Sequence, residues 1–289
     1  MSTKIEWTER VWNPVTGCTK VSEACRNCYA EVMARRLQHM PASKEKYRNG
    51  FQVTCHPESL EEPFTWKKPS MIFVCSMGDL FHADVSYHFI GKVMQVIKFC
   101  PGHTFQILTK RPERMAEYFN HRHVGGVPKN AWLGVTCESQ QHYDRIKTLC
   151  SIKGDFVRFI SCEPLLSDMP DIPLDDIDWV ITGGESGSKA RQTPPDYFRH
   201  LRDRCQATNT PFFFKQWGAY GPDGIKRSKY ANGSLLDGTY HHAYPNTTRP
   251  QSGHPSYSVD PSELDSLNVR EMLSGKPRKY DRSRPLSEQ

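Results

Sequence analysis

Met71-Ile72-Phe73-Val74-Cys75 breaks abruptly into Ser76-Met77-Gly78-Asp79, and that pattern repeats along the chain. Thr104-Phe105-Gln106-Ile107-Leu108 breaks into Thr109-Lys110-Arg111-Pro112, and Ala131-Trp132-Leu133-Gly134-Val135 into Thr136-Cys137-Glu138. Val157-Arg158-Phe159-Ile160 breaks into Ser161-Cys162-Glu163-Pro164, Asp178-Trp179-Val180-Ile181 into Thr182-Gly183-Gly184-Glu185, and Pro211-Phe212-Phe213-Phe214 into Lys215-Gln216-Trp217. Each run is short, rich in β-branched or aromatic residues and almost continuously apolar. Strands buried on both faces of a parallel sheet read this way.

The intervening segments suit helices. Residues 85–99 carry Phe89, Ile90, Val93, Met94 and Ile97 close to helical spacing. Residues 196–202 begin just after Pro194-Pro195, a helix-start signal. The six break points fall near 79, 110, 138, 163, 185 and 215, a mean spacing of 27 residues. A full (β/α)8 barrel uses about 31 residues per unit. With a first strand within residues 5–16, this predicts about seven parallel strands in an α/β fold, a partial (β/α)6–7 TIM-like barrel. The barrel is expected over residues 1–245. Residues 246–289, rich in Pro and Ser, are expected to form a weakly ordered basic extension; from Arg270 onward they hold six Lys/Arg against three Asp/Glu.

The 289 residues suffice for one sizeable core. No apolar run approaches the ~18 residues of a membrane span, and the N-terminus lacks the apolar stretch of a secretion signal. The expectation is a cytoplasmic protein with no membrane partner. Lys and Arg total 38 against 32 Asp and Glu, a net charge of +6 that permits a nucleic-acid or phosphate partner without demanding one.

Ten cysteines without a secretion signal argue against a disulfide framework. Cys75 and Cys162, inside apolar runs, read as buried thiols. Cys18, Cys25 and Cys28 differ: they cluster as C-x6-C-x2-C and most simply share a metal. Zinc would want a fourth ligand, for which His39 or Cys55-His56 are available. An iron–sulfur cluster held by only three cysteines would leave one iron open. The spacing does not choose between the two.

Asp79, Lys110, Glu138, Glu163, Glu185 and Lys215 all follow the C-terminal end of an expected strand. In parallel α/β folds that edge carries the active site. The cysteine loop follows the first strand on the same edge, so cysteines and charges are expected to converge on one mouth.

The three-cysteine loop at the mouth of a partial barrel resembles the radical S-adenosylmethionine (SAM) superfamily. The resemblance narrows to a branch found largely in phages and related to spore photoproduct lyase. It rests on six blocks: Trp12-Asn13-Pro14-Val15-Thr16-Gly17-Cys18, Gly78-Asp79-Leu80-Phe81-His82, Leu108-Thr109-Lys110-Arg111-Pro112-Glu113, Ser161-Cys162-Glu163-Pro164-Leu165-Leu166, Gly183-Gly184-Glu185-Ser186-Gly187 and Phe213-Phe214-Lys215-Gln216-Trp217-Gly218. Together they cover roughly residues 4–245. The superfamily's usual loop is C-x3-C-x2-C; the longer spacing here is that of the branch.

The resemblance implies that Cys18, Cys25 and Cys28 hold three irons of a 4Fe–4S cluster, whose fourth iron binds the amino and carboxylate groups of SAM. One electron, from a donor such as a flavodoxin, would cleave the sulfonium to a 5′-deoxyadenosyl radical that abstracts hydrogen from an unactivated C–H bond. Ser76, Met77, Gly78 and Asp79 match the motif near the SAM amino group. Lys110 and Arg111 would pair with the SAM carboxylate or a substrate phosphate, and Gly183, Gly184 and Glu185 would form a ligand-lining turn. Glu138 and Glu163, at the two strand ends between, complete the expected cofactor-binding set. The position before the third cysteine, often an aromatic that packs near the adenine, is Asn27, so Tyr29 is the candidate for that contact. Phage relatives imply a DNA substrate. The leading expectation is isomerisation of an amino-acid-modified (glycyl) thymidine from N-linked to Cα-linked during DNA hypermodification. A pyrimidine photoproduct repair lyase is the alternative, and a zinc-stabilised nucleic-acid-binding protein without catalysis is the alternative from another class. A flipped base could stack on Phe81, Trp217 or Tyr220.

Overall fold

All six apolar runs become strands in the computed structural model, which describes residues 3, 5–121 and 124–246. In chain order the elements are β1 (Arg10–Trp12), β2 (Val15–Thr16), α1 (Tyr29–Leu37), β3 (Thr54–Cys55), β4 (Met71–Val74), α2 (Tyr87–Phe99), β5 (Thr104–Thr109), α3 (Pro112–Asn120), β6 (Ala131–Thr136), α4 (Tyr143–Cys150), β7 (Arg158–Cys162), β8 (Trp179–Thr182), α5 (Pro195–Ala207), β9 (Phe212–Phe214) and α6 (Lys229–Asn232). Short 3-10 segments cover Glu23–Asn27, Pro57–Thr65 and Gln140–His142.

Seven strands form one parallel sheet in the order β1-β4-β5-β6-β7-β8-β9. Each new strand is laid beside the last, as in a (β/α) barrel that stops before closing. The two-residue β2–β3 ladder is antiparallel and lies outside this sheet. Helix starts follow local chemistry. The Ser86 hydroxyl caps α2 by accepting from Phe89 N–H at 3.2 Å, and α5 opens on Pro195.

The sheet is curled. Trp7 packs its ring 4.7 Å from Phe73 on β4, 6.3 Å from Phe159 on β7 and 6.1 Å from Trp179 on β8. In a flat sheet β4 and β8 would stand four strand spacings apart, about 19 Å. One indole reaches both because the strands bend around it, giving a half-barrel. Phe73, Trp132, Phe159, Trp179, Ile181 and Phe213 fill the concave side as a buried aromatic plug. Gly134 makes room for it: a Cβ there would lie 2.5 Å from the Phe159 ring, on the partner strand at the same register.

The outer edge of β9 is covered by the segment that follows α6. Phe214 N–H donates to His241 O at 2.8 Å and Ala243 N–H to Phe212 O at 3.2 Å. Tyr244 then stacks on Trp179 at 5.1 Å, while Trp179 Nε1 donates to Ala243 O. The expected extension, residues 246–289, lies outside the described residues apart from Asn246. Among the described residues, no helix is long and apolar enough to cross a membrane.

Candidate active site at the C-terminal edge of the sheet

Side chains alternate along each strand, so the parity of the aromatic plug predicts what lines the mouth above it. Two residues beyond Leu108, Gly134, Ile181 and Phe213 stand Lys110, Thr136, Gly183 and Lys215; four beyond Phe159 stands Glu163. Glu138 and Glu185 follow closely. The expected convergence is therefore observed, but each of the six charges already has a partner.

Asp79 is buried and saturated. Its Oδ1 accepts from Phe81 N–H (3.0 Å) and Thr109 Oγ1 (2.8 Å), and its Oδ2 from Arg111 Nη1 (2.8 Å) and Lys110 N–H (3.4 Å). Arg111 in turn donates to Cys18 Sγ at 3.3 Å and, through Nη2, to Thr19 O and Oγ1 at 3.0 Å. Lys110 Nζ donates to Thr136 Oγ1 at 3.3 Å. Glu163 Oε1 accepts from Lys215 Nζ at 2.8 Å and Gln216 Nε2 at 3.4 Å. Glu138, fully buried, receives Arg145 Nη1 on Oε2 at 2.8 Å. Glu185 grips Arg191 through both oxygens, at 2.6 and 2.9 Å.

These pairs hold the cysteine loop. Cys18 follows β2, Cys25 sits in the Glu23–Asn27 turn, and Cys28 precedes the first residue of α1. Gly17, with φ of +82°, lets the loop pass Gln52, whose carbonyl oxygen would be 2.2 Å from any Cβ. Its N–H donates to Met77 O at 2.9 Å, and a Cβ on Gly78 would meet Val15 O at 2.9 Å, so the loop and the β4 end touch backbone to backbone. Asn27 Nδ2 donates to Lys189 O (2.8 Å) and Glu185 Oε2 (3.3 Å), and Arg191 Nη1 donates to Glu23 O (3.1 Å). Tyr29, on α1, is exposed, and its hydroxyl donates to Ser76 O. The Ser76 hydroxyl is held by Asn13 Oδ1 at 3.2 Å.

All three thiols are free and only partly buried. Burial and the Asp79 carboxylate push the Cys18 thiol up, with Arg111 opposing. At Cys25 burial also pushes upward, but Lys110 and hydrogen bonds from the Val21 and Ser22 region outweigh it, and the net shift is downward. The three sulfurs are not all within 4.8 Å of one another. Among the described residues, the one set of three His, Cys, Asp or Glu side chains with ligand atoms within 4.8 Å of one another is Glu23, Glu138 and His142, not the cysteines. A single tetrahedral zinc with Zn–S of about 2.3 Å would bring its sulfurs to about 3.8 Å of each other. His56, offered as a fourth ligand, has both ring nitrogens engaged, with Thr16 Oγ1 at 2.8 Å and Glu58 Oε1 at 3.2 Å.

The expected stacking surface is not formed. Phe81 is buried against Tyr118 and Phe119, and Trp217 against Phe198 and Phe214, because apolar area at these strand ends packs onto the flanking helices. Tyr220 is half-buried beside Lys226. Gly183 and Gly184 form no turn; they run alongside the segment after β9, where Gly184 N–H donates to Gln216 O at 2.9 Å and a Cβ on Gly184 would fall 1.9 Å from Trp217 O. Sequence reasoning missed Glu23, Asn27, His142, Arg145 and Arg191. His142 and Arg145 lie four and seven residues after Glu138, a spacing that could have marked them as its partners; the other three contacts join segments far apart in the chain.

A family model described as "Protein of unknown function (DUF5131)" matches residues 2–245. No curated protein sequence matches. Similar solved structures include spore photoproduct lyase complexed with dinucleoside spore photoproduct, 12% identical with a TM-score of 0.44, covering 71% of this chain. The chain spans 62% of that protein's length. A cysteine-to-serine variant of spore photoproduct lyase is 14% identical with a TM-score of 0.46, over 94% of this chain and 75% of the other.

Proposed function

The chain belongs to the DUF5131 family, and we propose that it is a radical SAM enzyme acting on a modified thymine base in DNA. The observation that carries the reading is a set of three free thiols at the mouth of a half-barrel, not all within 4.8 Å of one another. Ligands to three different irons stand farther apart than ligands that share one ion, so sulfurs that are not all within 4.8 Å of one another support a 4Fe–4S cluster on Cys18, Cys25 and Cys28 over a single zinc. When bound, the cluster would deliver one electron to SAM at the iron without a protein ligand, and the cleaved SAM would supply the hydrogen-abstracting radical.

The chain's own residues supply the setting. Arg111, fixed by Asp79, donates to the Cys18 sulfur, and the Lys110 charge favours the Cys25 thiolate, so two cations offset an anionic centre. The glycines at 17 and 78 bring the loop against the β4 end without a gap. Gly183 leaves the mouth free of a side chain between Glu163 and Gln216. The aromatic plug fills the concave side of the sheet below the mouth. Glu163, Lys215 and Gln216 offer both donors and acceptors to a bound molecule.

Within this reading the substrate is a glycyl-modified thymidine, and the reaction moves its attachment from the amino nitrogen to the α-carbon. The support is the six-block sequence resemblance and the net positive charge, which suits a phosphate backbone. The test is anaerobic purification and reconstitution, followed by iron, sulfide and zinc analysis and then SAM with a reductant. About four irons per chain and release of 5′-deoxyadenosine are expected. Turnover is then compared on DNA carrying glycyl-thymine and on ultraviolet-damaged DNA. Turnover of damaged DNA alone would replace the isomerase with a repair lyase. Stoichiometric zinc without SAM cleavage would overturn the enzyme reading altogether.

A further inference from the structure

We propose that Glu23, Glu138 and His142 form a divalent-metal site, separate from the three cysteines, that ties the cysteine loop to the C-terminal end of β6. The three side chains come from two segments, the Glu23–Asn27 turn and the stretch joining β6 to α4. His142 Nε2 stands 3.0 Å from Glu23 Oε2 and 3.4 Å from Glu138 Oε1, and all three ligand atoms lie within 4.8 Å of one another. Ligands about 2.05 Å from one ion in a tetrahedral arrangement are spaced about 3.3 Å apart, a value that lies between the two short separations.

A second observation points to a ligand. Glu138 is fully buried, yet its Oε1 accepts no hydrogen bond. The one proton that Nε2 can carry faces Glu23 Oε2, the nearer oxygen, at 3.0 Å. Glu138 Oε1 is then a buried carboxylate oxygen aimed at the same nitrogen with no hydrogen bond of its own, Arg145 serving only the other oxygen, a costly arrangement. A divalent cation in place of that proton serves all three atoms at once.

The surroundings are those of a held metal site. Arg145 Nη1 fixes the other oxygen of Glu138 at 2.8 Å and also donates to Thr136 O. Ser139 Oγ fixes the other oxygen of Glu23 at 2.8 Å. Each carboxylate is therefore oriented by a donor on its far side. Glu23 and His142 keep some exposure, so water can complete the coordination. A nitrogen and two carboxylate oxygens suit manganese, iron(II) or zinc. The inference does not depend on the radical SAM reading, since none of the three residues is a cluster ligand in it.

The full-length chain is titrated with Mn(II) by electron paramagnetic resonance, because thiolates compete poorly for this hard ion. Co(II) is added in a parallel absorption experiment, where binding by thiolate would show a sulfur-to-metal charge-transfer band. One Mn(II) per chain is expected, with Co(II) d–d absorption surviving in the C18A/C25A/C28A chain. His142→Ala and Glu23→Gln, both at partly exposed positions, are expected to weaken Mn(II) more than about ten-fold while circular dichroism stays unchanged. Absence of Mn(II) binding, binding that both variants leave intact, or Co(II) absorption abolished with the cysteines would each overturn the site.

Discussion

Arg191 is the residue whose loss should most directly loosen the cysteine loop. Its guanidinium joins two places by three bonds: Glu185 after β8 through Nε and Nη2 (2.9 and 2.6 Å), and the Glu23 carbonyl in the cysteine loop through Nη1 (3.1 Å). Arg191→Ala removes all three bonds. Glu185, nearly buried, retains the Arg191 backbone N–H at 2.7 Å and Asn27 at 3.3 Å. Deleting one partner of a fully buried pair costs about 3–5 kcal/mol, so with two donors surviving and Arg191 partly exposed we expect about 2 kcal/mol. For a domain of this size that is a fall in melting temperature of about 4–8 °C. The second readout is iron retained after reconstitution and gel filtration, which should fall in Arg191→Ala. It should recover only in part in Arg191→Lys, because lysine keeps the charge but loses the fork. A variant that melts with the wild type and loads the same iron would show that Arg191 does not hold the loop, and the clamp would have to be abandoned.

Gly134→Ala should destabilise by about 1–3 kcal/mol, since its Cβ cannot avoid the Phe159 ring; an unchanged urea midpoint would mean the plug can repack. Asp79→Asn places an amide among four donors and should lower stability by about 2 kcal/mol in thermal unfolding, and no loss would contradict the saturation of that carboxylate. Glu23 carries an acid-side signature. Burial would raise its pKa, but hydrogen bonds from His142, its own backbone and Ser139 outweigh this and lower it from 4.5 to about 2. Its contribution to stability is therefore complete above the unfolded value and is lost as pH falls from 4.5 towards 2. Melting curves across that window should flatten in Glu23→Gln, and identical slopes would refute the assignment.

The fold was more legible than the site, for a physical reason. A parallel strand buried on both faces must be apolar throughout and must stop where the chain meets solvent. The transition at Val74–Asp79 or Ile181–Glu185 is thus a local signal, and all six expected strands appear within a residue or two. The β2–β3 ladder escaped notice because two residues per strand carry no periodicity. That Lys110, Glu163 and Gly183 follow strand ends is legible because alternation along a strand is also local. The partners of those residues were hidden. Arg191 reaches Glu23 across 168 positions and Ser139 reaches Glu23 across 116, separations that only the folded chain closes. Phe81 and Trp217 misled because an aromatic beyond a strand end can face the mouth or turn back onto a helix, and composition does not tell which.

The strip formed by residues 241–244 sets a limit on where the polypeptide can be cut or joined to another. Phe212, Phe213 and Phe214 make β9 a short strand of aromatics, and its free side is occupied by His241 and Ala243, with Tyr244 laid over Trp179. A chain shortened to before residue 241 would present that bare edge to any neighbouring copy, an invitation to strand-to-strand association. A tag or fused domain placed after Tyr244 leaves the edge shut, whereas one placed a few residues earlier should yield aggregates in size-exclusion chromatography.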